Sequence, residues 1–150
     1  MTQADIKAEI IAAMKAKDQV KLAVMRALSA AATNEAVNKG RGPDGVLTEE
    51  EVMTLVTRSA KQHKDSIEQF RAGGREDLVA SEQAELDILM ALLPAQMSRE
   101  EIVAAVDAKA VELGVTDKTK ANMLMGVLMK ELKGKADGTM VKEVVDSKFA

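Results

Sequence analysis

His63 is the one imidazole in the chain and the one side chain whose ordinary titration lies near neutrality. It sits in the run Lys61-Gln62-His63-Lys64-Asp65. Two roles suit it: a general base or phosphate contact, or a packed histidine hydrogen-bonded to the next helix. No second catalytic group is spaced with it, so the packing role is preferred. Glu82 is the second unusual residue. At helical spacing it falls on an apolar stripe between Leu78 and Leu86. A buried carboxylate is costly unless it is paired. His63, Lys64, Arg71 and Arg75 become candidate partners if the two helices form an antiparallel hairpin. We therefore expect a polar cluster of His63, Arg75 and Glu82 that fixes helix register rather than performs catalysis. Glu85 shares a face with Glu82, but two carboxylates alone define neither a hydrolase nor a metal site.

A third constellation is basic. From Lys118 to Lys135 there are five lysines (Lys118, Lys120, Lys130, Lys133, Lys135) and one acid, Glu131. The local charge of +4 stands out because residues 95–150 are neutral, with nine basic and nine acidic side chains. Residues 1–94 carry twelve basic and fifteen acidic side chains, the source of the net −3. The lysines gather where Gly134-Lys135-Ala136-Asp137-Gly138 turns into a helix N-terminus. Amide groups there favour anions, and neighbouring lysines attract phosphate. The spacing is not that of a nucleotide-binding GxxxxGK[ST] loop. A plain glycine helix stop with solvated lysines reads the same residues equally well.

The elements that must hold these groups are helical. The chain has 150 residues, 47% hydrophobic and 30% charged. It holds two Phe, no Tyr, no Trp and ten Met. Strands favour aromatic and β-branched residues, whereas Ala, Leu, Met, Glu and Lys favour helix. An all-β sandwich is thereby disfavoured, as is a single-strand binder that stacks bases on exposed rings. With no cysteine there are no disulfides, thiol nucleophiles or Cys-type metal centres. No metal and no cofactor is expected. No apolar run approaches 18 residues, so no membrane span is expected. The segment MTQADIKAEI lacks the basic and apolar regions of a secretory leader, and a cytoplasmic location is the expectation.

Capping signals and glycines mark seven helices. Helix 1 follows Thr2, with Asp5 three residues on, and its stripe is Ile6, Ile10 and Met14. Asp18 caps helix 2, which carries Met25, Leu28 and Ala32. Asn38 to Gly45 is a polar, breaker-rich stretch that reads as a mobile loop. Thr48-Glu49-Glu50-Glu51 opens helix 3, which Gly73-Gly74 ends. Helix 4 spans about Arg75 to Leu93, where Pro94 blocks it. Ser98-Arg99-Glu100-Glu101 opens helix 5, and Gly114 follows its end. Helix 6 begins near Thr116-Asp117 and carries Ala121, Leu124, Met125, Leu128 and Leu132. Asp137 caps helix 7. Met123, Met125 and Met129 are expected to fill core space rather than form a binding face. The fold class is all-α: an N-terminal four-helix part, residues 1–93, then a small C-terminal three-helix part, residues 97–150.

In order along the chain stand Lys61-Gln62-His63-Lys64-Asp65-Ser66-Ile67-Glu68, Arg75-Glu76-Asp77-Leu78, Glu82, Glu85-Leu86, Leu92-Leu93-Pro94-Ala95-Gln96, Met125-Gly126 and Gly134-Lys135-Ala136-Asp137-Gly138. This ordered set, from helix 1 to helix 7, resembles the YqeY-like family. Members of that family are similar to the C-terminal tail domain of the B subunit of the tRNA-dependent Asp/Glu amidotransferase. The resemblance implies an all-α protein whose C-terminal part touches tRNA. It implies RNA contacts at Lys130, Lys133, Gly134, Lys135, Asp137 and Gly138. The chain departs from the family pattern at His63, where Arg is usual, at Leu92, where Tyr is usual, and at Asn122, where Gly is usual.

Three functions are expected in descending order. The first is a non-catalytic, tRNA-associated accessory module that contacts phosphate and shape. The second is a protein-interaction module without RNA. The third is a carbon–nitrogen ligase of amidotransferase type with glutamine as amido donor. The chain offers no Ser–Lys amidase signature, cysteine nucleophile or nucleotide loop for that chemistry. Partners expected are tRNA or a protein. Oligomeric state is not readable from the sequence.

Overall fold

The computed structural model describes residues 1–150 and contains seven α-helices and no strand. By contact the chain falls into two compact units, Met1–Leu93 and Pro94–Ala150.

The first unit contains α1 (Gln3–Ala16), α2 (Gln19–Asn38), α3 (Glu49–Ala72) and α4 (Glu76–Leu92). The starts of α1, α2 and α3 each have a side-chain cap. The Thr2 hydroxyl accepts from the Asp5 amide while the Asp5 carboxylate accepts from the Thr2 amide, a complete capping box. Lys17 then takes a left-handed conformation, with φ +56°, and ends α1. Asp18 follows at once and caps α2 through the Lys21 amide. Two antiparallel hairpins result, α1 with α2 and α3 with α4, the second closed by Gly73 and Gly74. Ile6, Met25, Leu28, Val52, Val56 and Leu89 are fully buried in this core. Burying one such side chain contributes roughly 1.5–3 kcal/mol. Ala13 lies inside and Met14 is 53% exposed, so the α1 stripe passes through Ala13 instead of Met14.

Side-chain bonds reach the stretch from Asn38 to Gly45 and the residues after it. The Arg41 guanidinium donates to the Val46 carbonyl and makes a two-pronged bond to the Glu51 carboxylate, at 2.6 and 3.0 Å. From the far side, Gln3 accepts from the Leu47 amide at 2.7 Å. Gly45 packs so closely that a Cβ there would lie 2.5 Å from the Arg41 Cβ and 2.7 Å from its carbonyl oxygen. Only glycine fits.

The second unit contains α5 (Arg99–Leu113), a 3-10 turn (Lys118–Lys120), α6 (Ala121–Glu131) and α7 (Gly138–Lys148). Ser98 and Glu101 form another complete capping box at α5. Gly114 ends α5 in the left-handed region. The 3-10 turn stands where the sequence suggested the first turn of helix 6. Asp117 there accepts from both the amide and the hydroxyl of Thr119, which tightens the entry into three residues per turn. Ile102, Val106, Leu124, Leu128, Val141 and Val145 form the core. Neither unit buries an aromatic ring completely, and no polar or charged residue is buried in either.

Candidate functional site

The first candidate joins α3 to α4. His63 Nδ1 lies 2.5 Å from Glu82 Oε2, and Nε2 lies 3.6 Å from Glu85 Oε2. All three side chains are half-buried, at 22%, 24% and 33% exposure, with apolar Ile67, Leu86 and Leu89 buried on the same two helices. The i, i+3 spacing of Glu82 and Glu85 lets α4 present one carboxylate to each ring nitrogen. Both nitrogens therefore face acids rather than a hydroxyl or thiol that they could activate. The arrangement ties two helices together. Arg75 is not part of it. It precedes α4 and forms a forked bond to Asp77 at 3.0 and 3.1 Å, both groups largely exposed. Its position beside the Gly73-Gly74 turn carries its side chain away from Glu82. Glu85 was legible as a face-mate of Glu82, but its approach to the ring required the hairpin geometry. No group of three or more His, Cys, Asp or Glu side chains is arranged to hold a metal ion.

A cleft of about 490 Å3 lies elsewhere in this unit, lined by α1, α2 and the segment from Pro43 to Val46. Lys7 and Asp44 are its charged groups, and the imidazole is not among its lining residues.

The second candidate is the turn from α6 to α7. Lys130, Lys133 and Lys135 are all exposed. Glu131, the one acid of the segment, is drawn off to Lys109 on α5 at 3.0 Å. Bonds to Glu112 and Glu131 push the Lys109 ammonium above its ordinary range. Glu131 is thus already partnered.

The backbone of the turn has a different job. Gly134, in the left-handed region at φ +78°, turns its carbonyl to the Gln96 amide group at 3.1 Å. The Lys135 carbonyl accepts from the Met97 amide at 2.8 Å. These bonds clasp the segment before α5 to the turn before α7. Asp137 occupies the N-terminus of α7, accepting from the Thr139 and Met140 amides at 2.8 and 3.4 Å. The amides expected to greet an external anion are therefore filled by the chain's own carboxylate. Gly138 opens α7 against the Met129 side chain. Lys130, Lys133 and Lys135 stand as the charged groups of this surface, while Gly134, Asp137 and Gly138 shape it.

Met125 packs on the core, but Met123 and Met129 are 48% and 37% exposed. The expectation that all three fill core space holds for Met125 alone. Leu124 and Leu128 define the buried side of α6, and Met123 and Met129 fall off it by one residue each.

No helix is long and apolar enough to cross a membrane. Among curated proteins, the chain is 31% identical to altered inheritance of mitochondria protein 41, mitochondrial, of Pyrenophora tritici-repentis, over 95% of this chain and 80% of that protein. It is 35% identical to the Saccharomyces cerevisiae protein of the same name, over 88% and 68%. The Eremothecium gossypii protein of that name is 34% identical over 75% and 61%. These names overturn the cytoplasmic expectation. Composition without cysteine describes a reducing environment and does not distinguish one such compartment from another. The family model described as Yqey-like protein matches residues 3–149, nearly the whole chain. The helical chain that carries the His63 clasp and the lysine-rich turn thus belongs to the YqeY-like family.

Proposed function

We propose that this protein is a helical accessory module that binds tRNA through its C-terminal three-helix unit. The four-helix unit serves as its carrier. Lys130, Lys133 and Lys135 supply the contacts, to phosphate rather than to bases. One observation carries the reading: these lysines are exposed together while Glu131 is held by Lys109. The lack of stacking rings in this unit, whose one Phe is half-buried, supports contact by charge and shape. The resemblance to the amidotransferase tail domain supports tRNA as the nucleic acid. The net charge of −3 supports modest, salt-sensitive affinity.

Filter binding of deacylated tRNA at low salt tests it. Saturable binding by the wild type, abolished by joint Lys130→Glu, Lys133→Glu and Lys135→Glu, is the expected result. Absence of binding, or binding indifferent to the three substitutions, refutes it. The mitochondrial names of the relatives make a mitochondrial tRNA pool the matching probe.

A further inference from the structure

The outer face of α6 carries an exposed apolar strip. Met123, Gly126 and Met129 recur at three-residue spacing and all three are exposed. Gly126 sits in the middle of the helix, where glycine is a poor choice because it raises the entropy lost on folding. Space cannot explain it: a Cβ at this position would meet nothing within 4 Å. A mid-helix glycine that no intramolecular neighbour requires lowers the helix surface between two flexible, polarizable side chains. That is the relief into which another helix backbone fits closely. The ends of the strip are basic. Lys118 and Lys120 precede α6, and Lys130 follows Met129.

We propose that this strip docks an amphipathic helix of an acidic partner protein, with small apolar side chains against Gly126 and carboxylates reaching the lysines at both ends. Charge complementarity selects the occupant, since Lys118, Lys120 and Lys130 outnumber Asp117 at the ends of the strip and Glu131 is paired with Lys109. RNA is disfavoured as the occupant of the strip itself. Two thioether side chains and a bare glycine offer phosphate no donor, and they offer a base no ring. The inference shares Lys130 with the tRNA reading, but its core, Met123, Gly126 and Met129, takes no part in that reading.

The probe is a synthetic helical peptide with an Ala/Leu stripe flanked by glutamates, added to the whole protein and followed by methionine methyl NMR. The acidic peptide should shift the Met123 and Met129 methyl signals and leave that of buried Met25 in place. A lysine-for-glutamate version of the peptide should bind at least about tenfold more weakly. Gly126→Leu should weaken binding by a similar factor. Gly126→Ala should fold more stably than wild type and still bind less well, which separates lost docking from lost folding. The proposal fails if the acidic peptide shifts neither methyl, if Gly126→Leu binds unchanged, or if an RNA hairpin shifts the same methyls more strongly. Concentration-dependent shifts without peptide would assign the face to a second copy of this chain and overturn it too.

Discussion

Each ring nitrogen of His63 faces a carboxylate, Glu82 on one side and Glu85 on the other. The bond to Glu82 joins α3 to α4 at a half-buried position, where a hydrogen bond contributes more than on an open surface. Glu82→Gln should lower stability by about 1 kcal/mol in urea unfolding, and so should His63→Gln. The double variant should lose less than the sum of the two, since one bond is removed twice. Additive losses would mean that the two side chains act separately. Gly126 makes the opposite case. Gly126→Ala should raise stability by about 0.5–1 kcal/mol, because helix propensity improves and the added methyl meets nothing. Single residues of this kind were only half legible in sequence. Glu82 announced itself by interrupting an apolar stripe, yet its choice of His63 over Arg75 depends on where the Gly73-Gly74 turn aims each side chain.

Helices were far more legible than their partnerships. Thr2, Asp18, Thr48, Ser98 and Asp137 mark helix starts because each side chain satisfies amides only a few residues away. Asp137→Ala should therefore destabilise the second unit by about 1 kcal/mol, seen as a lower urea midpoint. Long-range bonds have no such local signature. The bonds of Arg41 to Val46 and Glu51, and of Gln3 to Leu47, link a breaker-rich stretch to its neighbours, and no spacing rule foretells them. The Arg41 guanidinium, helped by the Thr48 amide, holds the Glu51 carboxyl at about 2, well below its ordinary 4.5. A carboxyl whose folded value lies below its unfolded one contributes stability fully above about pH 4.5 and loses it as the pH falls toward 2. Glu51→Gln should flatten the dependence of unfolding stability on pH across that window, measured by denaturant titration at successive pH values. An unchanged profile would place the acid sensitivity elsewhere. Helix 6 shows where element-level reading stops. Spacing separates Leu124 and Leu128 from Met123 and Met129, but hydrophobicity alone had suggested burial for all the methionines.

For the whole molecule, the division of charge matters more than its total. The first unit holds the excess of acid, while the second is neutral overall and concentrates its lysines between Lys118 and Lys135. Capping by Asp137 removes the α7 N-terminus as an anion site, so any hold on a polyanion falls to side-chain cations. Such binding has a thermodynamic signature, because each neutralised phosphate releases condensed counterions. The most direct measurement is the affinity of the whole protein for deacylated tRNA across a series of salt concentrations, with and without Lys130→Ala, Lys133→Ala and Lys135→Ala together. Log affinity should fall linearly with log salt, and the triple variant should have a slope shallower by about 2–3. A slope that the substitutions leave unchanged, or binding that does not respond to salt, would contradict a phosphate-contacting C-terminal unit.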